Sequence, residues 1–127
     1  MLKSVVESHP DTDLSILIIW IKMYTAETYD LANDASQLFS KDSRVVQFYD
    51  PEKFLGRAVA ESLGAPEGEV AWDFYLLYDR DSTWSERAPY PIEWAHQLQW
   101  STWADLDHLH RGVDLLQRLA EIVEKYL

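Results

Sequence analysis

The chain has 127 residues, a formal net charge of −11 and no cysteine. That length suits one domain with its own core, and the missing thiols exclude dithiol, disulfide and thiolate chemistry. The acidic balance argues against partners that need a cationic footprint, namely nucleic acid and anionic membranes, and no run of Lys or Arg supplies one locally.

Residues 1–13 read as a polar N-terminal segment carrying His9, Pro10, Asp11 and Asp13. They lack the basic-then-apolar layout of a signal peptide. The domain proper is expected over 14–127. Its longest apolar run, Ile16 to Ile21, is too short to cross a bilayer, so a cytoplasmic location is the expectation.

Leu14 to Ile21 (LSILIIWI) is short, Ile-rich and apolar on both faces, which predicts a central strand. Tyr24, Thr28, Leu31, Ala35, Leu38 and Phe39 recur at helical spacing. They predict a helix over 25–39 with Thr25 as its cap and Glu27 in its first turn. Arg44 to Tyr49 predicts a second strand. Asp50-Pro51-Glu52 then predicts a helix over 51–63, capped by Asp50, with Pro51 in the first helical position and Gly64 as a left-handed stop.

Val70 to Tyr78 (VAWDFYLLY) predicts a third strand and Asp79 to Pro91 a long loop. Ile92 to Leu98 (IEWAHQL) predicts a fourth strand. Leu106, Leu109, Val113, Leu116, Ala120, Val123 and Leu127 predict the buried stripe of a last helix over 103–126. Asp107–Arg111, Asp114–Arg118 and Glu121–Lys125 fall at i,i+4 spacing on its wet side.

The order β-α-β-α-β-β-α implies an α/β domain with a central mixed sheet flanked by helices. Its first two strands are parallel and its last two form a hairpin. A βαβ unit, a linking helix and a ββα unit together resemble the thioredoxin-like arrangement over about residues 14–126. More narrowly, FYDPEKFLGRAVAESLG, WDFYLLYDRDSTW and EWAHQL are similar to segments of a cysteine-free group of uncharacterised bacterial thioredoxin-like proteins. The resemblance implies that fold and places a ligand edge where the redox site would lie. There this chain has Lys22-Met23-Tyr24-Thr25-Ala26 in place of Cys-x-x-Cys, and Ala71-Trp72-Asp73 in place of the proline that precedes the third strand. It is therefore not a thiol-disulfide oxidoreductase.

Tyr24, Thr25, Trp72 and Asp73 are expected to converge at one sheet edge, where open α/β sheets bind ligands beside a helix N-terminus that suits an anion. Capping and core packing account for each residue singly. Trp84, in the 79–91 loop, and Trp94 are the expected rim aromatics. Asp73 between Trp72 and Phe74 needs a partner, which His96 or Tyr75 would supply. His108 and His110 point apart on a helix, Asp105 with His108 would give only two ligands, and His9 reads as a satisfied or solvated histidine, so no metal site is expected. No nucleophile elbow or phosphate loop occurs. The reading is a non-redox binding or interaction module for a protein or small-molecule partner, without cofactor. The alternative is a small non-thiol enzyme using Asp73 and His96, with or without a metal. An exposed strand or the 79–91 loop is where a homodimer would form.

Overall fold

The computed structural model describes residues 2–127 and has mixed α/β architecture with two small sheets. The elements are α1 (Leu2–Ser8), β1 (Ile16–Ile21), α2 (Tyr29–Ser36), β2 (Val45–Asp50), α3 (Phe54–Ser62), β3 (Phe74–Leu77), β4 (Glu93–His96) and α4 (Gly112–Tyr126). Single 3-10 turns sit at Gln37–Phe39 and Leu106–His108. Among the described residues no helix is long and apolar enough to cross a membrane.

β1 and β2 are parallel in the register Ile16 to Val45 through Ile21 to Asp50. β3 and β4 are antiparallel, with Phe74 opposite His96 and Leu77 opposite Glu93. Both pairings match the expectation; the single mixed sheet does not form. The two pairs stay separate. A left-handed Asp73, with φ of 56°, turns the chain at the head of β3 and limits that strand to four residues.

The N-terminal segment is not merely polar. Val5 and Val6 are buried on α1, and Val5 joins Ala95, Leu115 and Leu119 in the core cluster, with Tyr75 and Val123 packed against it. Arg44 holds α1 in place. Its guanidinium donates to the Val6 and His9 carbonyls, to Thr12 Oγ1 and to both oxygens of Asp42 at 2.7–3.1 Å. All five of its N–H donors are thereby occupied.

The buried face of α4 is Leu115, Leu119 and Ile122, not the expected stripe. Val113 is 81% exposed, and Leu106 and Leu127 are also open. The helix begins only at Gly112, because residues 106–110 run beside β4: His96 bridges Leu109, and the His110 N–H donates to the His96 carbonyl at 2.9 Å. The expected i,i+4 ion pairs give way to longer-range ones. Glu93 receives Arg118 at 2.7 Å, Lys125 at 3.2 Å and the Tyr126 hydroxyl at 3.0 Å. Burial alone would push the Glu93 carboxyl up; the hydrogen bonds from Lys125 and Tyr126, with the nearby cations, bring it below the usual carboxylate range.

α2 is shorter than expected, and its cap is Thr28, whose hydroxyl accepts the Leu31 N–H at 3.3 Å, not Thr25. None of its residues is buried. α3 starts at Phe54 rather than Pro51 because Lys53 is left-handed, with φ of 61°. Asp50 still caps it from a distance: its buried carboxylate accepts the N–H groups of Phe54, Leu55 and Gly56 at 2.9–3.2 Å. Gly64 ends the helix region with φ of 83°, as expected.

Candidate functional site

Gly56 builds the edge where Tyr24 meets Trp72. Its carbonyl accepts the Ala71 N–H at 2.9 Å. A Cβ at this position would stand 2.6 Å from Val70 Cγ1 and 3.0 Å from Ile21 Cδ1. Only a glycine lets α3 lie this close to residues 70–71, and that approach carries Trp72 to the C-terminal end of β1. There Tyr24 and Trp72 meet edge to face, their ring centroids 6.2 Å apart and their planes at 85°. Tyr24 remains 61% exposed.

Glu27 shapes the turn that presents Tyr24. Its carboxylate accepts the N–H groups of Met23 and Tyr24 at 2.6 and 2.8 Å, and its own N–H donates to the Tyr24 carbonyl at 3.0 Å. Thr25 sits exposed within this turn. The expected anion seat is therefore not formed here. The helix starts four residues later at Tyr29, and a carboxylate already occupies the free donors.

Asp73 lies beside this turn as an exposed residue. Partial burial of its carboxyl and then the charge of Glu27 raise its pKa above the ordinary value. Its carbonyl accepts the Gln97 N–H at 3.2 Å. Tyr75 feels the same carboxylate: burial first, then the Asp73 charge, push its hydroxyl up. The edge is thus aromatic and electronegative.

His96 and Trp94 belong elsewhere. His96 is fully buried, and Trp94 is 5% exposed, so it lines no rim. Phe74 stacks on Trp94, His96 and Trp103 with centroids 5.2–5.7 Å apart, and Trp94 stacks on His108 at 3.9 Å. The His96 ring accepts the Leu98 N–H at Nδ1, 3.0 Å, which leaves Nε2 to donate to the Asp105 carbonyl at 2.7 Å. Burial lowers its pKa against the opposing hydrogen bond to the Asp105 carbonyl, with smaller contributions from His108, Asp105 and His110. Asp73 answers to Glu27 instead. The structure does not bring Asp73 and His96 together as an acid–base pair.

Trp84 is 47% exposed on the loop between β3 and β4. That loop is tied back by an exposed Arg80–Asp13 ion pair at 2.7 Å. Among the described residues no three His, Asp or Glu side chains gather in a metal-binding group. Two open clefts of about 410 and 520 Å³ flank Arg44. The first lies between α1 and the Leu38–Arg44 segment, and the second runs along Thr12–Leu17 to Val46. Neither includes the Tyr24–Trp72 edge. Sequence reasoning passed over the first because it depends on the docking of α1, a segment read as polar. Comparison with family models, with curated proteins and with solved structures gives no match.

Proposed function

We propose that this chain is a non-redox, thioredoxin-like binding module whose ligand or partner seats against Tyr24 and Trp72, with Thr25 and Asp73 at the margins. The observation that carries the reading is the edge-to-face contact between an exposed tyrosine on the β1–α2 connection and a tryptophan at the approach to β3. It joins two segments 48 positions apart at a strand end, the usual ligand location in an open α/β domain. Support for the thioredoxin-like assignment comes from the parallel pair joined through α2, the linking α3, and the antiparallel hairpin followed by α4. Lacking cysteine, such a module recognises without exchanging electrons. Glu27 and Asp73 favour a neutral or cationic group over an anion at this edge.

The test is a thermal-shift and tryptophan-fluorescence titration against reduced glutathione and short acidic, neutral and basic peptides. A ligand at 100 times its Kd stabilises by about 2.7 kcal/mol. Trp72→Ala and Tyr24→Ala are expected to weaken the binding of any such ligand by about tenfold or more, as loss of an interface aromatic does. Trp84→Ala is expected to leave it unchanged. Unaltered affinity in both edge variants overturns the proposal.

A further inference from the structure

The cleft between α1 and the Leu38–Arg44 segment combines an apolar wall with a charged one. Leu38 and Phe39 of the 3-10 turn, with Pro10 just after α1, form the apolar wall. Leu38 is 59% exposed, so much of its surface has no cover within the chain. Arg44 shapes the rest: by holding the Val6 and His9 carbonyls it docks α1, and the cleft is formed in advance of any ligand. Its volume, about 410 Å³, falls in the range of small-molecule sites, about 300–1,000 Å³.

Most charges of the lining are already engaged. Asp42 receives Arg44 at 2.7 Å. Glu7 meets Lys3 at 3.6 Å along the surface of α1. Lys41 has no such counterpart: among the described residues its ammonium makes no ion pair and no hydrogen bond. Ser43 lines the same cleft with a hydroxyl that is likewise unengaged. The chain as a whole carries 22 acidic and 11 basic side chains, yet this lining holds three cations, Lys3, Lys41 and Arg44, against two carboxylates.

A single unmatched positive charge beside an apolar wall suits a singly charged anion. A dianion would bring a charge without a counterpart into the field of a chain at −11. An anion without a tail would leave the apolar wall wet. We infer that this cleft binds a small carboxylate with an apolar tail, the carboxylate at Lys41 and Ser43 and the tail along Leu38 and Phe39. No residue of the Tyr24–Trp72 edge lines it, so this site stands apart from that one.

The experiment adds octanoate to the full isotope-labelled chain and follows amide chemical shifts and calorimetry. Saturable binding is expected, with the shifts centred on residues 3–10 and 38–44. Hexanoate is expected to bind about fivefold more weakly, since two methylenes leave a half-open wall. Octylamine keeps the tail and reverses the charge, and acetate keeps the charge without the tail; each is expected to bind about tenfold more weakly or worse. Lys41→Ala is expected to weaken octanoate by about threefold to fivefold, the worth of an exposed ion pair, and Leu38→Ser by about tenfold. Arg87→Gln removes one positive charge from an exposed position outside the cleft and is expected to change nothing. Lys41 and Leu38 are both exposed, and melting temperatures confirm that their variants fold. Octylamine binding as tightly as octanoate, an equal loss in Arg87→Gln and Lys41→Ala, unaltered affinity in both cleft variants, shifts centred elsewhere, or no saturation by about 10 mM octanoate overturns the inference.

Discussion

The Asp50 carboxylate accepts the Phe54 N–H at 2.9 Å across a left-handed Lys53. Two further N–H groups, of Leu55 and Gly56, reach the same side chain, which is buried. Asp50→Ala would orphan three donors at the start of α3. Its expected cost is about 2–3 kcal/mol, above the typical single cap because the acceptor is charged and shared. Urea denaturation measures it. A loss below about 0.5 kcal/mol, the lower end for a single cap, would mean that solvent satisfies these groups instead.

Asp73 offers the opposite sign. Its folded-state pKa is raised, by burial and then by Glu27, so its contribution to stability is fully present below the unfolded pKa and is lost as pH rises through the folded one. At neutral pH the charged form is a liability. Asp73→Asn removes the charge and keeps a residue type that tolerates the positive φ of 56°. The variant is expected to melt a few degrees higher than the parent at pH 7, and the gain is expected to vanish in acid where Asp73 is already protonated. A lower melting temperature at pH 7 would show that the carboxylate makes a stabilising contact.

His96 makes stability fall on the acid side. Burial lowers its pKa in the fold, while the unfolded chain titrates near the ordinary value of about 6.5. Below that value the unfolded state takes up a proton that the folded ring refuses, so stability declines as pH drops toward the folded pKa. His96→Gln is expected to be less stable at pH 7, since it gives up the ring stacking and hydrogen bonds to Leu98 and Asp105. Its stability is also expected to change less between about pH 7 and about pH 5. Chemical denaturation at both pH values gives the difference. Equal slopes would show that His96 is not the source of the acid sensitivity.

What the sequence made legible followed from local chemistry. Apolar runs located the strands, right-handed crossover made β1 and β2 parallel, and Gly64 marked the stop after α3. The convergence of Tyr24 and Trp72 was legible because both flank strand ends. Positions decided by tertiary partners were not. Thr25 and Thr28 are equally good caps by type, and only Glu27 folding back onto Met23 and Tyr24 moves the helix start to Tyr29. Trp94 and His96 alternate along a strand in a way that fits either a rim or a core; the stack with Phe74, Trp103 and His108 decides for the core. On α4 two apolar stripes compete, and the one that meets Val5 and Ala95 is buried.

That last contact joins residue 5 to residues 115 and 119. The surface on which Val5 rests is complete only once β4 and the last helix are in place. Such a closure spans almost the whole chain, and contacts of high sequence separation slow the search for the native state. Shielding of Val5 over Ala95 thus waits on side chains that lie more than a hundred positions further along the chain.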